Sequence, residues 1–294
     1  MPTASSTGLD VVDKRNSIVM SKTVAIIAGN GSLPVELAVE LEKSGDKVYL
    51  LGIAGEAEPI IERFDHDYFH IGQVSKMFSL LRSKNVRDVT LAGGISRRPS
   101  LREMKLDIGA ILSLPRVLSW LLSGDNAVLV GVIDGFKERG FIVRGAHELV
   151  PELLVKPGAN TKKKPNGADL ERIELGFSVA RSLGQYDVGQ AVVVVEKRVV
   201  ALEGVEGTDA MLDRVTALRA AGRLPKKKGG VLIKCVKPGQ DLRADLPSIG
   251  PKSIDKIVEA GLSGIGVEAG FTLMISRDET LKRANKNGVF IYGA

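Results

Sequence analysis

The stretch TVAIIAGNGSLPVELAVELEKSG, from Thr23 to Gly45, determines the fold class of this 294-residue chain. Its first five residues form an apolar, β-branched run that is typical of a buried strand. The residues from Pro34 onward space their apolar side chains as a helix does, up to a stop signal at Gly45. The stretch therefore predicts a strand–turn–helix unit of an α/β protein.

The turn inside this unit has two open interpretations. Gly29 and Gly31 would let the backbone approach a ligand closely, and Ser32 could cap the following helix, whose free N–H groups favour a phosphate. Alternatively, the glycines only close a short connection, because Pro34 stands where the pattern Gly-x-Gly-x-x-Gly has its last glycine. The turn by itself does not decide between the two.

The rest of the first half continues the alternation of strands and helices. KVYLLGI (47–53) predicts a strand, VSKMFSLLRSKN (74–85) a helix, and DVTLAGG (88–94) a strand that ends at Gly93 and Gly94. Such alternation is typical of a doubly wound parallel sheet, in which ligands lie beyond the carboxyl ends of the strands. We therefore expect the turns at 29–32 and 93–96 to share one rim. The residues 111–140 read as helical, and 141–154 as a strand followed by a short helix.

The second half has the pattern of a separate α/β domain. Residues 156–168 are rich in Pro, Gly, Asn and Lys and predict a linker or exposed loop. Beyond them, residues 189–204 predict a β-hairpin, GIGVEAG (264–270) a turn, and the remaining segments alternate between helix and strand. The expected organisation is a disordered leader (1–21), a Rossmann-like N-terminal domain (22–155), the linker, and a C-terminal α/β catalytic domain (169–294).

Composition narrows the possible partners. The net charge of +6 favours an anionic partner: nucleic acid, acidic lipid or a phosphorylated substrate. Nucleic acid is excluded as an expected partner, because aromatic residues are only 4% and the runs TKKKPNG and LPKKKGG lack stacking side chains. The single cysteine, Cys235, permits no intramolecular disulfide and no cysteine zinc site. No apolar run approaches the ~20 residues that span a bilayer.

The segment KPGQDLRADLPSIGPKSI (237–254) is the richest in candidate chemistry. Asp241, Arg243 and Asp245 alternate, so an extended backbone would point all three to one side. The carboxylates could pair with Arg243, could hold Mg²⁺, or could form only a surface ladder of ion pairs. His66 and His70 have helical ligand spacing but lack a metal motif, which favours histidines in a loop or at the edge of the core.

Seven short stretches of the chain occur in the order seen in a known family. They are IIAGNGSLPVELA, LAGGISRRPS, GDNAVL, GAHEL, GQAVVV, EGTDAML and QDLRADLPSIG. In these stretches the chain resembles the UDP-2,3-diacylglucosamine pyrophosphatase family of lipid A biosynthesis, in the form found in α-proteobacteria. The resemblance extends from about Thr23 to the C-terminus.

This resemblance implies an enzyme whose two α/β domains close on UDP-2,3-diacylglucosamine. With Mg²⁺ and water, such enzymes yield UMP and 2,3-diacylglucosamine 1-phosphate. The resemblance also implies a cytoplasmic enzyme, peripheral on the inner face of the inner membrane, and the basic runs could attract it to that anionic surface. Asp245 matches the family's essential acid, and Asp241 ranks second because the family accepts Asp or Glu there.

The resemblance also implies residues that contact the ligand. Asn30 and Gly31 fall in the ligand-contacting turn, Gln190 opens the hairpin that faces the ligand, and Gly207 and Thr208 lie in the Glu-Gly-Thr-Asp loop. The chemistry of a pyrophosphate adds basic groups that could neutralise the leaving oxygens: Arg243, Lys234 and Lys237. Together with Gly29, Ser32, Gly93 and Gly94, these residues form the expected site.

Two other classes of protein stay open on the sequence. The strand–Gly-x-Gly–helix opening favours a nucleotide-sugar oxidoreductase, although only Glu56 follows the second strand as a candidate partner for a ribose. A lipid-phosphate binding protein without turnover would use the aspartates only structurally. Release of UMP that depends on a metal separates all three classes.

Overall fold

The computed structural model describes residues 22–96, 106–110 and 125–294. The predicted leader, residues 97–100 of the second motif and residues 111–124 lie outside this range. None of the described helices has the length and apolarity needed to cross a membrane.

The N-terminal half forms a five-stranded sheet of β1 (Thr23–Ala28), β2 (Lys47–Ile53), β3 (Asp65–Phe69), β4 (Asp88–Ala92) and β5 (Ile142–Val143). The strands lie in the order β3-β2-β1-β4-β5, with every neighbouring pair parallel. Its helices are α1 (Leu33–Lys43), α2 (Val74–Ser83), α3 (Asp125–Glu138) and the short α4 (Ala146–Leu149). Two 3₁₀ turns cover Pro59–Arg63 and Pro151–Leu153.

Both faces of this sheet are buried, which explains the continuous apolar run of β1. Val24 and Ile26 pack into one core cluster, while Ala25 and Ile27 pack into another. A parallel sheet needs covering on both faces because its crossover helices lie there. The predicted doubly wound sheet is confirmed, and its order reverses between β1 and β4, which makes their carboxyl ends the expected ligand crevice.

The C-terminal half forms a six-stranded mixed sheet of β6 (Gly158–Ala159), β7 (Ala191–Val195), β8 (Arg198–Leu202), β9 (Val231–Lys234), β11 (Gly264–Val267) and β13 (Phe290–Gly293). The strands lie in the order β6-β13-β11-β9-β7-β8. A separate parallel pair consists of β10 (Ser248–Ile249) and β12 (Leu273–Met274). The helices are α5 (Gly167–Gly184), α6 (Gly207–Ala220), α7 (Pro251–Glu259) and α8 (Arg277–Asn287). The predicted hairpin is confirmed as the antiparallel pair β7 and β8.

One prediction of local structure was wrong, and another was incomplete. GIGVEAG contains strand β11 in the middle of the sheet, where a side chain at position 264 would clash with the Phe290 ring and one at 266 with Ile173. The glycines there make room for packing rather than for a turn. Residues 156–168 are mostly irregular and exposed, as predicted, but they also contact the C-terminal sheet. Strand β6 pairs with β13, and the buried Thr161 hydroxyl accepts the Ile291 N–H.

The two histidines lie at the edge of the core, as the sequence indicated, and both are partly buried. His66 lies in strand β3, which the sequence did not predict, and His70 follows the end of that strand. Helical spacing therefore does not bring the two imidazoles together. The strand escaped prediction because DHDYF has few apolar residues, and β3 is an edge strand with only its last residue fully buried.

Candidate active site

Two cavities that share walls lie between the halves of the chain. The smaller one, about 360 Å³, is lined by the two glycine turns, by residues 242–246 and by Ser248, Leu273 and Ile275. The larger one, about 610 Å³, is lined by Lys234 and by the beginnings of helices α6 and α7. Gly31, Ser32, Ser248 and Ile275 line both cavities, so the two form one cleft with walls from both domains.

The two glycine turns of the N-terminal domain meet directly. Asn30 N–H donates to the Gly94 carbonyl at 2.9 Å, and Gly94 N–H donates back to Asn30 at 3.2 Å. A Cβ at Gly29 would lie 2.2 Å from the Gly94 oxygen, so residue 29 must be glycine for the turns to pack. Gly29 is buried and does not line either cavity, whereas Asn30, Gly31, Gly93 and Gly94 line the smaller one. The requirement for glycine at position 29 is therefore structural.

Ser32 does not cap helix α1 as predicted. It occupies the N-cap position in a helical conformation and makes no side-chain hydrogen bond to the helix amides. Its hydroxyl instead donates to Glu36 Oε1 at 2.8 Å. The N–H groups of the first turn of α1 are therefore left without a side-chain cap at the wall of the cleft.

The segment around Asp241 forms a tight turn and not the predicted extended ladder. The Ala244 and Asp245 N–H groups both donate to the Asp241 carbonyl, at 3.1 and 3.3 Å. Arg243 folds back onto Asp241, with its Nε 3.0 Å from Oδ1 and its Nη2 2.6 Å from Oδ2. The Arg243 hydrogen bonds hold the pKa of Asp241 below its usual value, and both oxygens of Asp241 are engaged. Asp241 is thus a partner of Arg243, which agrees with one of the sequence interpretations.

Asp245 is separated from this ion pair. It lines the smaller cavity, and its Oδ2 accepts a hydrogen bond from Gln240 Nε2 at 2.5 Å. Within the part of the chain that the structure describes, no hydrogen bond reaches its Oδ1. The segment also packs inward, since Ala244 contacts one core cluster of the N-terminal domain and Leu246 contacts the other. This packing places one available carboxylate oxygen at the junction of the domains.

Three helices begin at the larger cavity. Its walls include Gly31 and Ser32 before α1, residues 206–209 at the start of α6 and residues 250–253 at the start of α7. In none of these helices does the N-cap side chain bond to the first-turn amides. Each helix N-terminus carries roughly half a positive charge and unpaired N–H groups. Their convergence makes the cavity suitable for an anion.

Lys234 adds a partly buried amino group at the end of β9. Its Nζ donates to the Ser248 carbonyl at 3.1 Å. Burial lowers the pKa of Lys234, while the charges of Glu203, Asp245 and Asp209 act in the opposite direction. An anion in the cavity would favour the protonated lysine further. Lys237, by contrast, forms an ion pair with Asp187 at 2.5 Å and does not line either cavity.

Thr208 and Gln190 are organised by the buried carboxylate of Glu203. The Thr208 hydroxyl donates to Glu203 Oε1 at 2.6 Å, and the Gln190 N–H donates to Oε2 at 3.0 Å. Thr208 and Gly207 line the larger cavity, whereas Gln190 lies outside both cavities. Because the only proton of the Thr208 hydroxyl is directed to Glu203, this hydroxyl can serve any further partner only as a hydrogen-bond acceptor.

Sequence reasoning overlooked Ser248, Lys252 and Ser253 as residues of the cleft. Pro251 at the first helical position marked the beginning of α7 and could have identified an N-terminus able to bind an anion. Among the residues that the structure describes, no group of three or more His, Cys, Asp or Glu side chains could hold a metal ion.

The fold and the cleft define a two-domain α/β protein with a cleft between its domains that is suited to an anion. The LpxI N-terminal domain family matches residues 23–153, and the LpxI C-terminal domain family matches residues 156–292. A protein of Caulobacter vibrioides named UDP-2,3-diacylglucosamine pyrophosphatase LpxI is 37% identical over 273 residues, covering 92% of this chain and 97% of the relative. The chain belongs to the LpxI family.

Proposed function

We propose that this protein hydrolyses the pyrophosphate bond of UDP-2,3-diacylglucosamine, giving UMP and 2,3-diacylglucosamine 1-phosphate for lipid A biosynthesis. The observation that carries the proposal is the convergence of three helix N-termini and Lys234 on a cleft that also exposes Asp245. The relative from Caulobacter bears the name of this activity and matches nearly the whole chain, which supports it.

The charges of the cleft suit a pyrophosphate. Its phosphoryl oxygens are anionic, so attack by water requires positive groups around them. Lys234 and the amides at the start of α1, α6 and α7 supply positive charge from both domains. Groups held rigidly by secondary structure need no reorganisation as charge develops on the leaving oxygen, and this lowers the barrier.

In the reaction, the oxygen of a water molecule forms a bond to one phosphorus while the bond from that phosphorus to the bridging oxygen breaks. The bridging oxygen leaves on the other phosphate with the electron pair, and the water gives up one proton. Oδ1 of Asp245, which accepts no hydrogen bond from the described residues, would accept that proton or orient the water, since Gln240 fixes the other carboxylate oxygen. Asp241 is excluded from this role because Arg243 engages both of its oxygens.

Mg²⁺ is proposed as the cofactor, with Asp245 as the protein residue that would hold it. Mg²⁺ is commonly bound by one or two carboxylates together with substrate phosphates, and one available carboxylate beside an anion-binding cleft fits that pattern. The predicted pair of Asp245 and Asp241 does not fit, because Asp241 is already neutralised by Arg243. When bound, the ion would neutralise charge on the phosphoryl oxygens.

The test of the proposed function is identification of the products from UDP-2,3-diacylglucosamine. We expect equal amounts of UMP and 2,3-diacylglucosamine 1-phosphate over many turnovers. Release of UDP would indicate cleavage at the sugar and would contradict the proposal. Stoichiometric binding without release would instead identify a lipid-phosphate binding protein.

The oxidoreductase alternative depends on Glu56 as the residue that would bind a ribose, but the carboxylate of Glu56 already has other partners. Glu56 Oε2 accepts hydrogen bonds from the Ser96 N–H and hydroxyl, both at 2.8 Å, and from Asn30 at 3.4 Å. The carboxylate therefore joins the two glycine turns. A ribose hydroxyl would have to displace these contacts.

We also propose that the protein acts in the cytoplasm and associates electrostatically with the anionic inner face of the inner membrane. The two lysine runs lie close together, because Lys163 contacts the Ser263 carbonyl and Lys228 contacts Asn287, just before strands β11 and β13 begin. Burial lowers the pKa of Lys163, and the neighbouring positive charge of Lys228 lowers it further. These contacts lie at the amino ends of the strands, whereas Lys234 of the cleft lies at the carboxyl end of β9, which runs parallel to β11. The attraction would therefore concentrate the enzyme near the leaflet while the cleft stays on the other side of the sheet.

Replacing Lys162, Lys164, Lys226 and Lys227 together by glutamine should weaken binding to vesicles that contain phosphatidylglycerol. Each lysine near an anionic leaflet contributes about 1 kcal/mol, so we expect a loss of more than about tenfold, measured by co-sedimentation at low salt. Hydrolysis of detergent-dispersed substrate should not change. A variant with Lys43 and Lys47 of the N-terminal domain replaced serves as the control, and equal binding by all three proteins would refute the membrane proposal.

A further inference from the structure

One carboxylate of the N-terminal domain binds directly to the C-terminal domain beside the cleft. Glu36, in the first turn of α1, accepts the Ser276 N–H on Oε2 at 2.6 Å and the Ser276 hydroxyl on Oε1 at 3.0 Å. Oε1 also accepts the Ser32 hydroxyl at 2.8 Å. Three donors from two domains thus converge on one side chain.

Both partners of Glu36 are connected to the walls of the cleft. Ser32 lines both cavities, and Ser276 follows Ile275, which also lines both. Ser276 is the N-cap residue of α8, and it makes no side-chain bond to the amides of that helix. Its own N–H is instead bonded by the carboxylate of Glu36, so an acidic group of one domain lies at the positive end of a helix in the other.

The backbone at Ser276 is adapted to this contact. Its φ of 46° lies in the left-handed region, which non-glycine residues adopt rarely. Such a conformation persists when surrounding contacts hold it, and residues that keep it cluster at functional sites. The charge-assisted hydrogen bonds from Ser276 to Glu36 supply such contacts.

We propose that Glu36 is a positioning residue that holds the beginning of α1 against the beginning of α8, and thereby sets the spacing between the two walls of the cleft. The proposal rests on the proposed function, because only a substrate that bridges both domains requires that spacing. It also explains why the Ser32 hydroxyl is directed to Glu36 and away from the helix amides.

Loss of this contact has a distinct kinetic consequence. Without this contact, only a fraction of the ligand-free molecules has the two walls of the cleft at the spacing that binds substrate. The apparent affinity for substrate falls in proportion to that fraction, because binding must also supply the free energy that brings the walls together. Once substrate has bound, it contacts both walls and restores their spacing. The KM should therefore rise while kcat stays nearly constant, as for an interaction that acts equally in ground and transition states.

The experiment compares Glu36→Gln with Glu42→Gln, a substitution at an exposed position of the same helix. For Glu36→Gln we expect the KM for UDP-2,3-diacylglucosamine to rise about tenfold or more, with kcat within about twofold of the wild type. The Ser276 amide of the ligand-free protein should also exchange its hydrogen faster. Ser276→Ala removes only the hydroxyl contact and should raise the KM less. Glu42→Gln should match the wild type in all three measurements.

A Glu36→Gln protein with unchanged KM and unchanged exchange at Ser276 would overturn the inference. So would a lower melting temperature with wild-type KM, which would indicate a purely structural role, or a fall in kcat at constant KM. If the wild-type protein releases no UMP, the proposed function fails on its own. The exchange measurement then still decides whether Glu36 holds Ser276 in solution.

Discussion

Asp245→Asn should lower turnover by at least about 10²–10³-fold and leave substrate binding largely intact. The substitution keeps the size of the side chain and its hydrogen bond with Gln240, but removes the negative charge at the junction of the two domains. That charge is what the proposed mechanism uses to accept a proton from water or to hold Mg²⁺. The measurement is kcat for UMP release, together with the affinity for substrate.

Asp241→Asn is the matched control for this prediction. It removes the same charge four residues earlier, where the carboxylate is paired with Arg243. Both side chains of this ion pair are partly exposed to solvent. We expect activity per folded molecule to stay within about tenfold of the wild type, and stability to change by at most ~1 kcal/mol. Because the pKa of Asp241 is depressed in the folded protein, its stabilising contribution is present above its unfolded pKa and is lost as the pH falls through its folded pKa.

These two variants separate catalysis from structure. If Asp245→Asn is as active as the wild type, the assignment of Asp245 is wrong. If both variants melt earlier and both keep their activity, the aspartates only hold the turn that covers residues 241–245. Melting temperature and turnover should be measured on the same protein samples.

Removal of divalent cations should lower the release of UMP to the rate without enzyme. Among the residues that the structure describes, Asp245 is the one carboxylate that lines the smaller cavity. Mg²⁺ is commonly bound by one or two carboxylates together with the phosphates of a substrate, so a single protein carboxylate suffices. EDTA should abolish activity, and excess Mg²⁺ should restore it. The melting temperature of the ligand-free protein should not change, because no described residues form a preassembled metal cluster.

The control for the metal experiment is EDTA that has been saturated with Mg²⁺ beforehand. It contains the same chelator but removes no ions from the enzyme, so activity should persist. Equal release of UMP in EDTA and in Mg²⁺ would contradict the metal role and would leave Lys234 and the helix N-termini as the sources of positive charge. Activity of Asp245→Asn that is partly recovered by high Mg²⁺ would support a direct contact between the residue and the ion.

Local patterns predicted most elements of the fold because burial imposes a period on the sequence. The β-branched run of β1, the helical spacing of α1 and the hairpin of β7 and β8 could all be recognised in this way. The failures occurred where the local pattern and the tertiary environment disagree. β11 is rich in glycine because neighbouring side chains fill the space of its Cβ atoms, and β3 is polar because it lies at an edge.

The sequence predicted which residues form the candidate site but not how these residues are arranged in space. The resemblance singled out Asp245 and Thr208, and the glycines pointed to the rim of the N-terminal sheet. The tight turn at Asp241 was missed, because alternation in sequence implies a common side only if the backbone is extended. Lys237 and Gln190 were expected near the ligand, but neither lines a cavity of the cleft. Lys237 forms an ion pair with Asp187, and the backbone N–H of Gln190 donates to Glu203.

The sequence by itself determined the strand–turn–helix opening, the two α/β halves and the candidate acids, since these depend on periodicity and short motifs within a few turns of chain. Only the tertiary structure decided that Ser32 bonds Glu36, that Glu36 binds Ser276, and that three helices begin at one cavity. Glu36 and Ser276 are 240 residues apart. A contact between residues so far apart in the chain arises from the packing of two domains. No local pattern predicts it, because a glutamate in the first turn of a helix and a serine just before a helix are both common without any such contact.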